Sequence, residues 1–489
     1  METKFELKPL CSHRHTAVEK KQDLYRILEI SSESMRGILA ESSTFQEGLS
    51  SIGIRKRLRV IGEMGKVWRE RLSDGRLEEL KSILVKTTGY CEKLIEMEFS
   101  LVPVVLNEEN IGKNLECSPT KNIEVFERFV EINDGESFRI APAGPVFIIS
   151  SGNSLLPSII PSAISLATGN LTIVKPSLSN YLGVFETYRI LSELASLSEE
   201  ARMMMDALIL SYFTHDSASL RYLLGEAEIG VVNFWGGEPA RSSVTRIVSE
   251  NPNHPRIVVN GPLTGCALIH EKSASEETAE GLARNIILYD QQLCSSPTSA
   301  FFIGSWQNAF SFTRMVERFL GEIGSEYESV LDDASIFLTQ SARRIFQLKG
   351  SHVLSSRDTK NLWTLVLSKG RSVLDDVVNS LPAFNIYARR RFLEIVVVQS
   401  VEEALEHIRR IPGSPAFKGV DGIQTVGYSI NGEEKERVFE KLASLGIYRI
   451  VPLSDMFMRS AIEPYDGVTL LSAFTRIVYR RDEELFLKP

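Results

Sequence analysis

The chain has 489 residues, 24% of them charged, and a formal net charge of −8. That length exceeds what one hydrophobic core organises, so two large domains or one composite fold are expected, and the acidic balance leaves no global basic field for nucleic acid. Five cysteines (Cys11, Cys91, Cys117, Cys266, Cys294) form no CxxC pair, and seven histidines form no HExxH. This points to a reducing, cytoplasmic setting and against a structural zinc or other metal.

The opening "METKFELKPLCSHRH" carries charges where a signal peptide would have its apolar core. Residues 1–135 read as a mostly helical region. Leu58, Ile61, Met64 and Trp68 recur at helical spacing, "SDGR" turns the chain, and Leu77, Leu80 and Leu84 begin another stripe. The run "RKRLR" at 55–59 reads as a solvated helix face. From Ile140 to Val174 no residue is charged, a length that suits a membrane span, but Pro142, Pro145, Pro157 and Pro161 interrupt it. A buried strand–helix–strand unit is expected instead.

Alternation follows. "PVFIIS", "LTIVK", "IGVVNFW" and "RIVVN" read as strands, with "LLPSIIPSAISLATG" and "YLGVFETYRILSELASL" as helices. Ser273 and Glu276 suggest a capping box for a helix running through Tyr289, and a loop with Cys294 leads into the strand "TSAFFIG". "FLEIVVV" is a strand, Ser400 and Glu403 suggest a second capping box, and "GIQTVGYSI" and "RIVP" complete the series. Strands alternating with helices imply parallel pairing and an α/β fold.

Four features could carry chemistry, each beside a plainer alternative. Cys294 is a nucleophile or a packed thiol. Asn153, after the strand "PVFIIS", is an oxyanion donor or a helix cap. Lys175, ending "LTIVK", binds a cofactor ribose or phosphate, or leaves the sheet for solvent. Gly236-Gly237 lets a ligand approach the backbone or makes a tight turn. No GxGxxG is present.

Taken in order, "SGNSLLPS" at 151–158, "VVNFWGGE" at 231–238, "NGP" at 260–262, "YDQQLCSS" at 289–296, "IQTVGYS" at 423–429 and "YDG" at 465–467 resemble the aldehyde dehydrogenase superfamily, and within it the LuxC-like acyl-CoA (fatty acid) reductases of bacterial bioluminescence. The resemblance spans about 140 to 480. It implies an aldehyde dehydrogenase-like α/β fold with a helical N-terminal region (1–135), a Rossmann-type cofactor domain (136–262), a catalytic domain (263–450) and a C-terminal segment (451–489) returning to the core or an oligomer interface. It makes Cys294 the nucleophile and Asn153 the oxyanion donor, paired with the Cys294 N–H. Lys175 with Ser177 falls at the cofactor ribose, and Gly236 with Gly237 at the cofactor phosphates.

Departures from the superfamily refine this. Where hydrolytic members carry a glutamate base stands Asn260, which accepts no proton from water, so an acyl-cysteine is expected to persist. Leu178 replaces a glutamate that would repel a 2′-phosphate, which favours NADPH. "YARRRFLE" brings Arg389, Arg390 and Arg391 where a Glu-Ile-Phe-Gly-Pro segment belongs; these read as a solvated run rather than a phosphate site. The implied activity is NADPH-dependent reduction of a fatty acyl-CoA or acyl-protein to an aldehyde. The implied partners are that acyl donor, an acyl-transferring protein and further copies of the chain. Alternatives are a CoA-dependent dehydrogenase working oxidatively, a cysteine acyltransferase or thioesterase without nucleotide, and a catalytically silent scaffold.

Overall fold

In the computed structural model, residues 5–116, 121–432 and 434–482 are described; Cys117 and the ends of the outermost segments lie outside them. The chain divides into two units, the first from 1–88, 96–260 and 461–489, the second from 89–95 and 261–460.

The first unit opens with strands, where the periodicity leads one to expect helix. β1 (Phe5–Leu7), β2 (Ala17–Gln22) and β3 (Tyr25–Ile30) make a sheet of order β1-β3-β2. Gln22 pairs with Tyr25 across a two-residue loop in which Asp23 has φ 49°. Asp23-Leu24 lacks the glycine that usually announces such a hairpin. β3 buries Tyr25, Ile27 and Glu29 at period two. Helices then take over. On Ile54–Ser73 the stripe Leu58, Ile61, Met64, Trp68 is buried as its spacing predicts. Arg57, within "RKRLR", departs from the solvated-face reading: it is buried and donates to the Leu49 carbonyl at 2.9 Å.

β5 (Glu136–Pro142) pairs antiparallel with β4 (Val130–Asn133) on one side and with the late strand β18 (Thr475–Arg481) on the other. β6 (Val146–Ile149), β7 (Thr172–Lys175), β8 (Leu208–Leu210), β9 (Val231–Trp235) and β10 (Arg256–Asn260) form a parallel sheet of order β10-β9-β6-β7-β8. The helix Leu156–Ala167 joins β6 to β7 and Tyr181–Ala195 follows β7. The uncharged stretch 140–174 is this buried strand–helix–strand, and among the described residues no helix is long and apolar enough to cross a membrane.

The second unit is a seven-stranded sheet. In chain order its strands are β11 (Leu263–His270), β12 (Pro297–Ile303), β13 (His352–Ser355), β14 (Thr364–Lys369), β15 (Phe392–Val398), β16 (Gly422–Ser429) and β17 (Arg449–Pro452), in spatial order β13-β14-β15-β12-β11-β16-β17. All pairs are parallel except β13 with β14. Alternate residues feed two cores: Cys266 and Leu268 of β11 join Phe301 and Val396 on one face, Ala267 and Ile269 join Phe302 and Ile395 on the other. This is why the strands read as continuous apolar runs. The helix Glu276–Ile287 is capped by Ser275, which accepts from Thr278 N at 3.2 Å, rather than by Ser273, and it stops before Tyr289. Ser400 does cap the helix Val401–Arg410, accepting from Glu403 N.

Candidate active site

In the second unit the chain leaves the helix Glu276–Ile287 through three consecutive left-handed residues: Tyr289 (φ 54°, ψ 26°), Asp290 (φ 48°, ψ 37°) and Gln291 (φ 65°). Non-glycine residues in this region cost on the order of 1–3 kcal/mol each and persist only where their surroundings hold them. Here the side chains do the holding. Asp290 accepts from Arg391 Nε at 2.7 Å and from the Ser329 hydroxyl at 2.8 Å. Gln291 is wedged at the starts of β12 and β15: its Nε2 donates to the Pro297 and Phe392 carbonyls at 2.6 Å, and its Oε1 accepts from Phe392 N at 2.8 Å. Gln292 donates to the Arg389 carbonyl at 3.1 Å. The polar residues of "YDQQLC" are therefore the scaffold of the loop.

That loop ends in a turn closed by Ser296 N to the Leu293 carbonyl at 3.0 Å, with Cys294 half-buried inside it. Gly265 of β11 lies against the turn so closely that a Cβ there would stand 2.4 Å from the Ser295 carbonyl oxygen. Of the other described thiols, Cys266 is buried and Cys11 and Cys91 are half-buried. Burial pushes Cys266 up to about 12 and Cys11 up to about 11, and raises Cys91 as well, so they remain protonated at neutral pH.

Two of the three arginines in the run read as solvated, Arg389 and Arg391, are buried, and Arg390 is half-buried. Arg391, 2% exposed, also donates to Asn361 Oδ1 at 2.8 Å and to the Tyr327 carbonyl at 2.5 Å. Arg389 is buried over the Phe417 ring, its guanidinium carbon 4.9 Å from the centroid, and donates to the Ala416 carbonyl. Burial penalises both cations; Asp290, Asn361 and the Tyr327 carbonyl replace water around Arg391, whereas Arg389 keeps the Ala416 carbonyl and the Phe417 ring while its Nε and Nη1 have no hydrogen-bond partner among the described residues.

In the first unit, β6 has β7 and then β8 on one side, β9 and then β10 on the other. The winding direction reverses at β6/β9, and in open parallel sheets the crevice outside the carboxyl ends at such a point is where ligands bind. Asn153 follows β6 and Gly236-Gly237 follows β9. Asn153 does not cap the next helix: the cap position is Leu155, which makes no side-chain cap bond, and Asn153 Oδ1 accepts from the Ser151 hydroxyl at 2.8 Å. Gly236 has φ 157° and packs on the Phe234 ring, with its N–H on the Asn260 carbonyl at 3.1 Å.

Lys175 ends β7 but does not run into solvent. It is 9% exposed, with its Nζ 4.6 Å from the centre of the Tyr212 ring. Burial pulls its ammonium down to about 8, against the attraction of Glu29, which β3 brings nearby. Ser177 is half-buried and its hydroxyl is 3.3 Å from that of Ser179.

Asn260, at the end of β10, is buried and held at both ends of its amide: Oδ1 accepts from Asn233 Nδ2 at 2.9 Å, and Nδ2 donates to Asp466 Oδ2 at 3.3 Å. Trp235 Nε1 donates to Asn233 Oδ1 at 2.6 Å, and its ring meets Tyr465 edge-on at 5.1 Å. "YDG" is thereby joined to Asn260. Sequence reasoning missed Asn233, Asp466, Asp290 and Arg391 as participants; the side-by-side presence of "VVN" and "YDG" in the shared wording was the available signal.

This architecture is the aldehyde dehydrogenase fold. It superposes on an NAD-dependent benzaldehyde dehydrogenase from Corynebacterium glutamicum with a TM-score of 0.67 at 14% identity, covering 98% of this chain and 96% of that one. It superposes on aldehyde dehydrogenase 21 from Physcomitrella patens with a TM-score of 0.70 at 12% identity, covering 99% and 100%. The chain belongs to the acyl-CoA reductase (LuxC) family, whose model matches residues 50–477. Among named relatives, the long-chain acyl-protein thioester reductase of Vibrio harveyi is 22% identical over 326 residues, 66% of this chain and 65% of that one. Long-chain acyl-protein thioester reductase 2 of Photobacterium leiognathi is 21% identical over 267 residues, 53% of each chain. The chain thus spans between half and just under two-thirds of the length of these relatives.

Proposed function

We propose that this protein reduces a long-chain acyl thioester, carried on CoA or on a protein, to the aldehyde. Cys294 attacks the thioester carbonyl, a new carbon–sulfur bond forms as the old one breaks, and the leaving thiol takes a proton. Asn153 and the Cys294 N–H are assigned to the oxyanion of the tetrahedral species, a role typically worth about 10²–10³ in rate for one donor. The result is an acyl-cysteine, which splits one reduction into acyl transfer and reduction.

A nicotinamide cofactor, when bound, supplies the hydride. The residues after β7 and β9 are assigned to such a group: Gly236 and Gly237 to the pyrophosphate, and Lys175 with Ser177 to the adenosine ribose. Leu178, where a carboxylate would oppose a 2′-phosphate, supports NADPH.

The observation that carries this reading is Asn260. The amide of Asn260, tied to Asn233 and Asp466, is not itself a base for water. An acyl-cysteine so protected is what a reductase requires and a hydrolase does not. The experiment is intact-mass measurement after adding a long-chain acyl-CoA without cofactor. One stable adduct is expected, absent in Cys294→Ala and discharged as aldehyde when NADPH is added. An adduct on Cys91 or Cys266, or rapid release of free acid, refutes the reading.

A further inference from the structure

We propose that Glu98 is a positioning residue for Asn153, acting with Asn180 to fix the loop that presents it. The proposal rests on the role assigned to Asn153 above.

Glu98 lies on the helix Glu92–Val105, whose Ile95, Phe99 and Val102 are wholly buried, and its own side chain is 0% exposed. A carboxyl group in such surroundings is costly unless its oxygens are hydrogen-bonded. Its Oε1 accepts from the Ser154 hydroxyl and, at 3.1 Å, from the Leu155 backbone N–H. These are the two residues after Asn153. Leu155 is also the cap position of the helix Leu156–Ala167, which lacks a side-chain cap of its own. Ser154 Oγ in turn accepts from the Leu156 N–H at 3.2 Å, so Glu98, reaching from another helix, holds the start of this one through the Ser154 hydroxyl and the Leu155 N–H.

Asn180 closes the other side. It is 1% exposed, and its Nδ2 donates to the Gly152 carbonyl at 3.0 Å and to the Ser154 carbonyl at 2.9 Å. The backbone is thus gripped at residue 152, immediately before Asn153, and at residues 154 and 155, immediately after it. The grip matters because an oxyanion donor works over a few tenths of an ångström, and a loop left loose by about 1 Å loses much of its effect. Two buried polar side chains that both bond the loop on either side of one residue make that residue's placement the feature they serve.

The test is a cycle on the first half-reaction, thiol release from a long-chain acyl-CoA in a single turnover without cofactor. Asn153→Ala is expected to slow acylation about 10²–10³-fold. Glu98→Ala is expected to slow it about 10–100-fold, with the rate of Cys294 alkylation by iodoacetamide unchanged. In the Asn153→Ala background, Glu98→Ala should cost nothing further, because the group it positions is gone. Glu98→Gln keeps an acceptor oxygen and should recover most of the rate. An equal loss in both backgrounds, or no loss in the native one, overturns the positioning role while leaving Asn153 in place. Unimpaired acylation in Asn153→Ala overturns the reading of Asn153 itself. If Glu98→Ala does not fold, Asn180→Ala enters the same cycle, and an equal loss with and without Asn153 again overturns the proposal.

Discussion

Arg391 Nε meets Asp290 Oδ1 at 2.7 Å, and the pair is nearly sealed, with side-chain exposures of 3% and 14%. Asp290 is left-handed and four residues before Cys294; Arg391 is itself left-handed at φ 43°. Breaking a buried pair by removing one partner typically costs about 3–5 kcal/mol, since the other charge stays behind. Arg391→Met should lower the urea midpoint accordingly and speed alkylation of Cys294 as its loop loosens. Asp290→Asn combined with Arg391→Met should recover part of the stability. A single variant with an unchanged midpoint shows that the pair does not hold the loop.

Gly265→Ala tests the turn from the other side. The added Cβ would stand 2.4 Å from the Ser295 carbonyl oxygen and 2.7 Å from that of Ser296, both backbone atoms with no rotamer to yield. Overpacking of this kind costs about 1–3 kcal/mol. A lower melting temperature is expected together with slower acylation of Cys294, because the displaced atoms are those that flank the thiol. Normal acylation in a destabilised variant separates the turn from the chemistry.

Asn260→Glu should let the acyl-cysteine hydrolyse, turning a single burst of thiol release into continued turnover with free acid as product. General-base assistance is worth about 10²–10⁴ in rate. Asp466, 3.3 Å from the Asn260 amide, tempers this. Two carboxyls that close do not both ionise readily, so the introduced acid titrates high and the gain appears only at raised pH. Adding Asp466→Asn should move the onset to lower pH. Asn260→Gln should release no acid. Equal acid release from all variants removes the protection argument.

Lys175 sets a pH dependence. Its ammonium is held at about 8, below the ordinary 10.5, by burial. Between those values the unfolded chain keeps a proton that the folded chain has lost, so this group's contribution to stability rises with pH across that window. Attraction for an anionic cofactor runs the other way, present below about 8 and lost above it. NADPH binding, followed by fluorescence titration, should weaken roughly tenfold, about 1.4 kcal/mol, from pH 7 to pH 9.5. Lys175→Met should bind weakly at both. NADH should bind more weakly than NADPH throughout; the reverse order refutes the reading of Leu178.

The sequence by itself determined most strands of the two larger sheets, because buried parallel strands are short apolar runs punctuated by Gly, Pro and Asn, as in "PVFIIS", "IGVVNFW" and "FLEIVVV"; β8, β11, β13 and β14 were not read from it. It determined that Cys294 stands in a loop at a helix–strand junction, and the order of motifs that led to the family. It did not determine the N-terminal hairpin, whose Asp23-Leu24 turn carries no glycine, nor the fate of the charged side chains. Arg391 and Asp290 are 101 residues apart in the chain, Glu98 and Ser154 are 56 apart, and Asn260 and Asp466 are 206 apart. Whether an ionisable group is solvated or buried depends on which partner the fold brings to it, and no local pattern encodes that. Only the tertiary structure decided that Arg389 and Arg391 are internal, that Lys175 lies over Tyr212, and that a carboxyl from a distant helix grips the loop of Asn153.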